Sequence, residues 1–261
     1  MLSLNRRIDD WRGRRVWLIG ASSGIGAALA TELLQAGAVV ALSARRAAHL
    51  QALAAHAGEA QAIVAPFDIL DHAAWDERYR QICARAGGVD LVIFCAADYR
   101  PERSWEINAD GAAHTLAVNI GSVYTGLTTV LPDMLARGSG GIAIIASVAG
   151  YVGLPNASVY GPSKAALINL AELLYTDLHP HGLDVYLINP GFVQTELTAK
   201  NAFSMPALLT PQEAAQAIVR GLRAGQFEIH FPKRFTLLVK LVRWLPYRLR
   251  FALFTHFLKP T

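Results

Sequence analysis

Four side chains in this sequence could move a proton and hold a reacting oxygen: Asn119, Ser147, Tyr160 and Lys164. Tyr160 and Lys164 stand four apart at the start of a helical pattern, so they share a face. A phenol titrates near pH ~10 and is a poor acid–base at neutral pH. A neighbouring ammonium favours the phenolate and is expected to lower that value. Ser147 follows the apolar run 141–146, and its hydroxyl could hydrogen-bond a substrate oxygen as charge develops there. Asn119 falls in LAVNIGSVYTG, inside a long helical region. Taken alone, a Tyr-x-x-x-Lys pair is a cheap match, and a helix tyrosine packing its ring explains it equally well.

A second group of residues could hold phosphates. The apolar run 15–20 leads into Gly20, Ala21, Ser22, Ser23, Gly24, Ile25 and Gly26 and then into a helical pattern. Strand, glycine loop and helix in that order suit a dinucleotide. The glycines let backbone approach a pyrophosphate, and the helix start offers free N–H groups at its positive end. An ordinary strand-to-helix turn of small residues is the plainer alternative. The next run, VVALS, ends at Ala44, Arg45 and Arg46. An acid there would suit the ribose hydroxyls of NAD, whereas arginines suit the 2′-phosphate of NADP, so NADP(H) is expected over NAD(H). Asp68 follows the run AQAIVA and could meet the adenine edge; Asp71 more simply caps the next helix.

These groups need a scaffold that brings strand ends together. Seven short apolar runs read as strands: 15–20, 38–43, 60–65, 90–95, 141–146, 183–188 and 227–231. They are continuous rather than alternating, as strands covered on both faces are. Amphipathic helical stretches separate them, so the expected class is α/β, a doubly wound Rossmann-type parallel sheet in a single domain spanning residues 1–231. Ligands of such a sheet bind beyond the carboxyl ends of its strands. At 261 residues, 53% apolar and 17% charged, the chain is long enough for a sizeable core and too apolar for disorder. The two cysteines, Cys83 and Cys95, form neither a metal-binding nor a disulfide pattern, and no metal is expected. No secretory signal or transmembrane stretch is read, so a cytoplasmic protein is expected. Nothing resembles a nucleic-acid-binding motif, and no nucleic-acid partner is expected.

Together the motifs resemble those of the short-chain dehydrogenase/reductase family over about residues 14–230. They are GASSGIG at 20–26, VN at 118–119, Ser147, YGPSK at 160–164 and NPGFVQT at 189–195, with Ser147 thirteen positions before Tyr160. The resemblance implies an NADP(H)-dependent oxidoreductase interconverting a carbonyl and an alcohol. It makes Tyr160 the general acid/base and Lys164 the group that holds the nicotinamide ribose and tunes Tyr160. Ser147 binds the reacting oxygen, and Asn119 holds a water of the proton relay. Gly20, Ser22 to Gly26, Arg45, Arg46, Asp68 and Ala96 border the cofactor, and Ile188, Pro190, Gly191, Val193 and Thr195 line its nicotinamide. A homodimer or higher homo-oligomer is implied as well. The chain departs from the family at Ile19, where Thr is usual, and at Phe94, Cys95, Ala96 and Ala97, where Asn-Asn-Ala-Gly is usual. Many members also end in a Gly-rich strand used for tetramer packing; this chain has a basic, apolar segment instead.

A different class of protein, a non-catalytic NADP(H) sensor, would keep the glycine loop and tend to lose the Tyr–Lys pair; both are present. For the substrate, Ala149 to Val152, Leu154, Phe192 and the segment 196–209 are mostly apolar, with Lys200 the lone cation. An apolar small-molecule carbonyl is therefore expected, with a polar alcohol or sugar as the alternative. The tail, residues 232–261, has its own character. After Glu228 there is no acid, and seven of the chain's 24 Lys and Arg lie there, leaving 17 against 20 acids elsewhere. Residues 235–245 and 247–258 read as two helices hinged at Pro246, each with a broad apolar face and a basic edge. That face could pack on the body or over the cleft, against a partner subunit, or in the headgroups of an anionic membrane.

Overall fold

The seven apolar runs become seven parallel strands in the computed structural model, which describes residues 3–257 apart from 56, 59 and 202. Residue 202 of the expected cleft segment, and Leu258 and Lys259 of the tail, thus lie outside the described residues. The strands are β1 (Arg15–Ile19), β2 (Val39–Ser43), β3 (Ala62–Val64), β4 (Leu91–Phe94), β5 (Gly140–Ile145), β6 (Leu183–Pro190) and β7 (Glu228–Phe231). Their order in the sheet is β3-β2-β1-β4-β5-β6-β7. The order reverses between β1 and β4, which opens a crevice at the carboxyl ends of those two strands, where ligands of open parallel sheets bind.

The lack of alternation in the strands has the expected cause: both faces are covered. Helices α1 (Gly24–Gln35), α2 (Ala47–Ala54) and α7 (Pro211–Arg223) bury Leu29, Leu33, Leu50 and Ile218 against one face, beside Trp11. Helices α3 (His72–Ala86), α5 (Ser122–Arg137) and α6 (Tyr160–Leu178) bury Trp75, Val130 and Leu174 against the other. On that second face the Trp17 ring meets Trp75 edge-on, 5.5 Å between centroids. Local signals set the helix starts. Asp71 accepts a hydrogen bond from the Ala73 N–H at 3.1 Å and caps α3, and Thr210 and Glu213 form a reciprocal capping pair on α7. Between α4 (Ala109–Leu116) and α5, residues Ala117–Gly121 form one wider π-helical turn, and this turn carries Asn119.

Beyond β7 the chain continues as α8 (Lys233–Trp244) and α9 (Tyr247–Phe257), with Pro246 between them. Three polar contacts seat α8. The Thr236 hydroxyl, fully buried, lies 2.6 Å from His230 Nδ1. Lys240 forms an ion pair with Glu228, and Glu228 also accepts from Tyr151 Oη and, at 2.9 Å, from Asn189 Nδ2. Phe235, Val239 and Phe254 pack on the α3/α5/α6 side of the core. None of the described helices is long and apolar enough to cross a membrane.

Candidate active site

The loop after β1 has the geometry of a phosphate cradle. Gly20 has φ +94°, and a Cβ there would stand 2.5 Å from the Ala96 backbone nitrogen. A Cβ on Gly26 would stand 2.0 Å from the Gly20 carbonyl oxygen. Only glycine lets the turn close this tightly. At the start of α1, Ser23 makes no side-chain cap and the first turn carries no acid, so the helix's free N–H groups point into the crevice without a counter-charge. These features fit the pyrophosphate of a dinucleotide. Gly24 has φ +54°, and a Cβ on it would lie 2.9 Å from Thr195 Cγ2, so the cradle touches the loop that follows β6. At the end of β2, Arg46 Nη2 lies 3.2 Å from the Ser22 hydroxyl and Nη1 lies 3.4 Å from Glu196. Arg45 and Asp68 line the same crevice.

Ser147, Tyr160 and Lys164 come together where β5 and α6 meet. Ser147, just past β5, accepts from the Ala149 N–H at 3.1 Å, and its hydroxyl lies 3.5 Å from the Pro190 carbonyl. Tyr160 opens α6, and one turn on Lys164 places Nζ 5.5 Å from the centre of the tyrosine ring. Lys164 is almost wholly buried and donates to the Ile145 carbonyl at 2.9 Å. Burial pushes the Tyr160 phenol up to about 12, although the Ser147 hydrogen bond works the other way. Burial also pulls the Lys164 ammonium down to about 8. The expected lowering of the phenol by the lysine is therefore corrected. Desolvation penalises the phenolate and the ammonium alike, and the ammonium is held by a backbone carbonyl rather than by the phenol oxygen.

Asn119 does not face the crevice. It is 1% exposed and its amide is fully engaged: Nδ2 donates to the Ser163 hydroxyl at 2.9 Å and the Asp98 carbonyl at 3.0 Å, while Oδ1 accepts from the Asp98 N–H at 2.7 Å. Ser163 in turn donates to the Tyr160 carbonyl at 2.7 Å. Asn119 thus reaches Tyr160 through the first turn of α6. Ile188 is likewise buried within β6 and does not line the crevice.

Ser147, Tyr160, Lys164, Gly20, Ser22 to Gly26, Arg45, Arg46, Asp68, Ala96, Pro190, Gly191, Val193 and Thr195 all border one cleft of about 1590 Å³. Its outer part is lined by Ala149, Val152, Leu154, Phe192, Leu197 and Phe203, from the segments expected to meet substrate. Lys200, the cation of segment 196–209, donates to the Tyr99 carbonyl at 2.7 Å, and Arg103 also borders the cleft. Sequence reasoning missed Tyr99, whose ring sits edge-on to Tyr160 at 4.9 Å, and Trp105 at the rim, stacked under Arg103. No spacing links either to the motifs, since both sit on the irregular segment between β4 and α4. It also left open what the tail does; Phe235, Leu238, Val239, Val242, Leu253 and Phe254 of α8 and α9 line the cleft. Cys95, where the family usually has Asn, borders the cleft as a neutral thiol that burial pushes up to about 12.

The sheet order, the glycine cradle and the Ser–Tyr–Lys group define a dinucleotide-dependent oxidoreductase. The family profile described as short chain dehydrogenase matches residues 14–204. An oxidoreductase of Myxococcus xanthus is 34% identical over 235 residues, 89% of this chain and 93% of that one. An oxidoreductase of Staphylococcus aureus is 33% identical over 204 residues, 78% of this chain and 88% of that one. Among solved structures, a short-chain dehydrogenase from Sphingobium yanoikuyae in complex with NADPH is similar, with TM-score 0.77 and 26% identity over 86% of this chain and 91% of that one. A family member from Burkholderia phymatum in complex with NAD shares the fold at TM-score 0.80 and 24% identity, over 90% and 94% of the two chains. The chain belongs to the short-chain dehydrogenase/reductase family, oxidoreductases that act on CH–OH and C=O groups with NAD(P).

Proposed function

We propose that this chain interconverts a carbonyl and an alcohol on an apolar small molecule and prefers NADP(H) to NAD(H). The observation that carries the reading is the meeting of Ser147, Tyr160 and Lys164 on the wall of a largely apolar cleft that continues into the glycine cradle. A bound reduced nicotinamide dinucleotide supplies a hydride to the carbonyl carbon. Tyr160 Oη gives its proton to the carbonyl oxygen, and in the opposite direction the phenolate takes the proton of the alcohol. Ser147 Oγ holds that oxygen while charge develops on it. Lys164 offers its ammonium to the ribose hydroxyls and keeps positive charge near the phenol. Asn119 positions Tyr160 by bracing Ser163. Arg46, beside Ser22, and Arg45, on the same crevice, with no acid at Ala44, support the choice of a 2′-phosphate.

Tyr160→Phe tests the core of this reading. The ring is kept, so folding and cofactor titration should be unchanged, and turnover should fall by roughly 10²–10⁴. A folded Phe variant that turns over within a few-fold of the parent would exclude Tyr160 as the acid. For the cofactor, NADPH should bind more tightly than NADH by one or more charge-assisted bonds of about 1.5–3 kcal/mol each, and Arg45→Ala should remove most of that difference. Equal affinities in the unmodified protein overturn the preference.

A further inference from the structure

The helix α8 seats Phe235 and Val239 on the core and yet keeps an apolar ridge on its water-facing side. A surface helix normally points its cations outward and its leucines inward. On α8 the mid-helix cation, Lys240, points inward to Glu228, while Leu237, Leu241 and Trp244, spaced four and three apart, are 50%, 67% and 86% exposed. The inward contacts of Thr236 with His230 and of Lys240 with Glu228 fix this orientation, so the apolar ridge is built into the seat of the helix. Exposed Lys233 and Arg234 stand at one end of the ridge and exposed Arg243 and Arg248 at the other. The nearest acid in sequence, Glu228, is already bound to Lys240, and none follows it.

This charge pattern selects the occupant. A second copy laid on the ridge would bring those four cations against their own images with no acid to meet them. An anionic lipid surface supplies negative headgroups for the cations and an apolar layer for the leucines, with an indole suited to the boundary between them. An adjoining side of the same helices forms part of the cleft wall through Leu238, Val242, Leu253 and Phe254. We propose that α8 and α9 seat the protein on an anionic membrane surface, and that its substrate is a lipophilic aldehyde, ketone or alcohol dissolved in that membrane, entering the cleft beside α8. The docking half stands on the ridge alone; the substrate half rests on the carbonyl–alcohol reading above. In the reducing direction, NADPH, a proton and the carbonyl compound give NADP⁺ and the alcohol.

The test uses the full chain with vesicles of phosphatidylcholine alone or mixed with phosphatidylglycerol, at low and high salt. It compares the parent with a triple variant, Leu237→Ser, Leu241→Ser and Trp244→Ser, whose positions lie outside the cleft lining and whose melting temperature should match the parent. The parent should float with the anionic vesicles, less so at high salt, and the variant's bound fraction should fall on the order of tenfold or more. With NADPH, the variant should keep its rate on hexanal in solution and lose a similar factor on hexadecanal held in anionic vesicles. A parent that does not float at low salt overturns the docking. So does a parent that ignores anionic vesicles yet is a dimer which the triple variant dissociates, because the ridge is then a contact between copies. If the parent floats but the variant's rate on vesicle-held hexadecanal is unchanged, the entry route is overturned. If the parent floats but neither aldehyde oxidises NADPH and neither alcohol reduces NADP⁺, the carbonyl–alcohol reading and the substrate half fail while the docking stands.

Discussion

Two lysines are turned into the body of this protein, and their surroundings are opposite. Lys164 on α6 meets a backbone carbonyl and no carboxylate, and burial pulls its ammonium down to about 8. Lys240 on α8 meets Glu228; burial pushes that carboxyl up, but Lys240, Tyr151 and Asn189 outweigh it, and the group ends below its ordinary value. A buried cation held only by a backbone carbonyl, without a counter-charge, carries a standing cost in stability and keeps its charge available to a bound molecule. A paired one is spent on holding two elements together.

The largest expected effect comes from Lys164→Met. Turnover should drop by roughly 10² or more, since the proposed contact of the ammonium with the ribose hydroxyls, which positions the cofactor, is lost. The free protein should nevertheless become more stable. The depressed lysine means that the unfolded chain binds more protons between about pH 8 and the ordinary lysine value of 10.5, so the parent gains stability as pH rises through that window. Below it, the ammonium costs about 3 kcal/mol, and after the lost bond to Ile145 the variant should gain about 0.5–2 kcal/mol. Thermal melts at pH 7.5 should show the variant ahead, and melts above pH 10.5 should show the advantage gone. A variant less stable at both pH values would mean that Lys164 holds the fold.

Glu228→Gln should act in the other direction. It leaves Lys240 without its counter-charge and should destabilise by about 2–3 kcal/mol, with each kcal/mol lowering Tm by roughly 2–4 °C. Amide exchange in α8 should quicken while α6 keeps its protection. Unchanged exchange in α8 would show that apolar packing alone seats the tail. A smaller effect should come from His230, which faces Thr236, Glu228, Lys233 and Lys240 and is held neutral by burial first and the two lysines second, with its value down at about 4. Because the unfolded histidine binds its proton first, the stabilisation present above the ordinary histidine value of 6.5 should be lost as pH falls towards 4, by about 1–2 kcal/mol. His230→Gln should flatten that part of the stability–pH curve; a curve unchanged from the parent would place the acid response elsewhere.

Much of this was legible in the sequence because strands buried on both faces leave an unambiguous trace. All seven runs became strands, with ends shifted by at most two residues. The glycine loop was legible because close backbone approach permits few residue types, whereas Ser147, Tyr160 and Lys164 stood out only in combination with the other family motifs. What stayed hidden depended on three dimensions. AVNIG reads as ordinary helix, and only packing reveals the wide turn that aims Asn119 at Ser163. Residue types alone put a lysine beside a tyrosine and suggest a lowered phenol; the depth of burial reverses the sign. The tail's pattern of leucines and cations was plain, yet its handedness towards water was not, since it turns on a pairing with Glu228.

The placement of the indoles has an optical consequence. Trp11, Trp17 and Trp75 are fully enclosed, whereas Trp105 stands at the cleft rim, 76% exposed, and Trp244 on the outer ridge, 86% exposed. Intrinsic fluorescence should therefore separate into a blue component that iodide cannot quench and a red component from these two rings. With Trp105→Phe the quenchable light should come from the ridge alone, and with Trp244→Phe from the cleft mouth alone. Arrival of a ligand and arrival at a surface would then be read in the same cuvette, from the unlabelled chain, as two independent changes in emission.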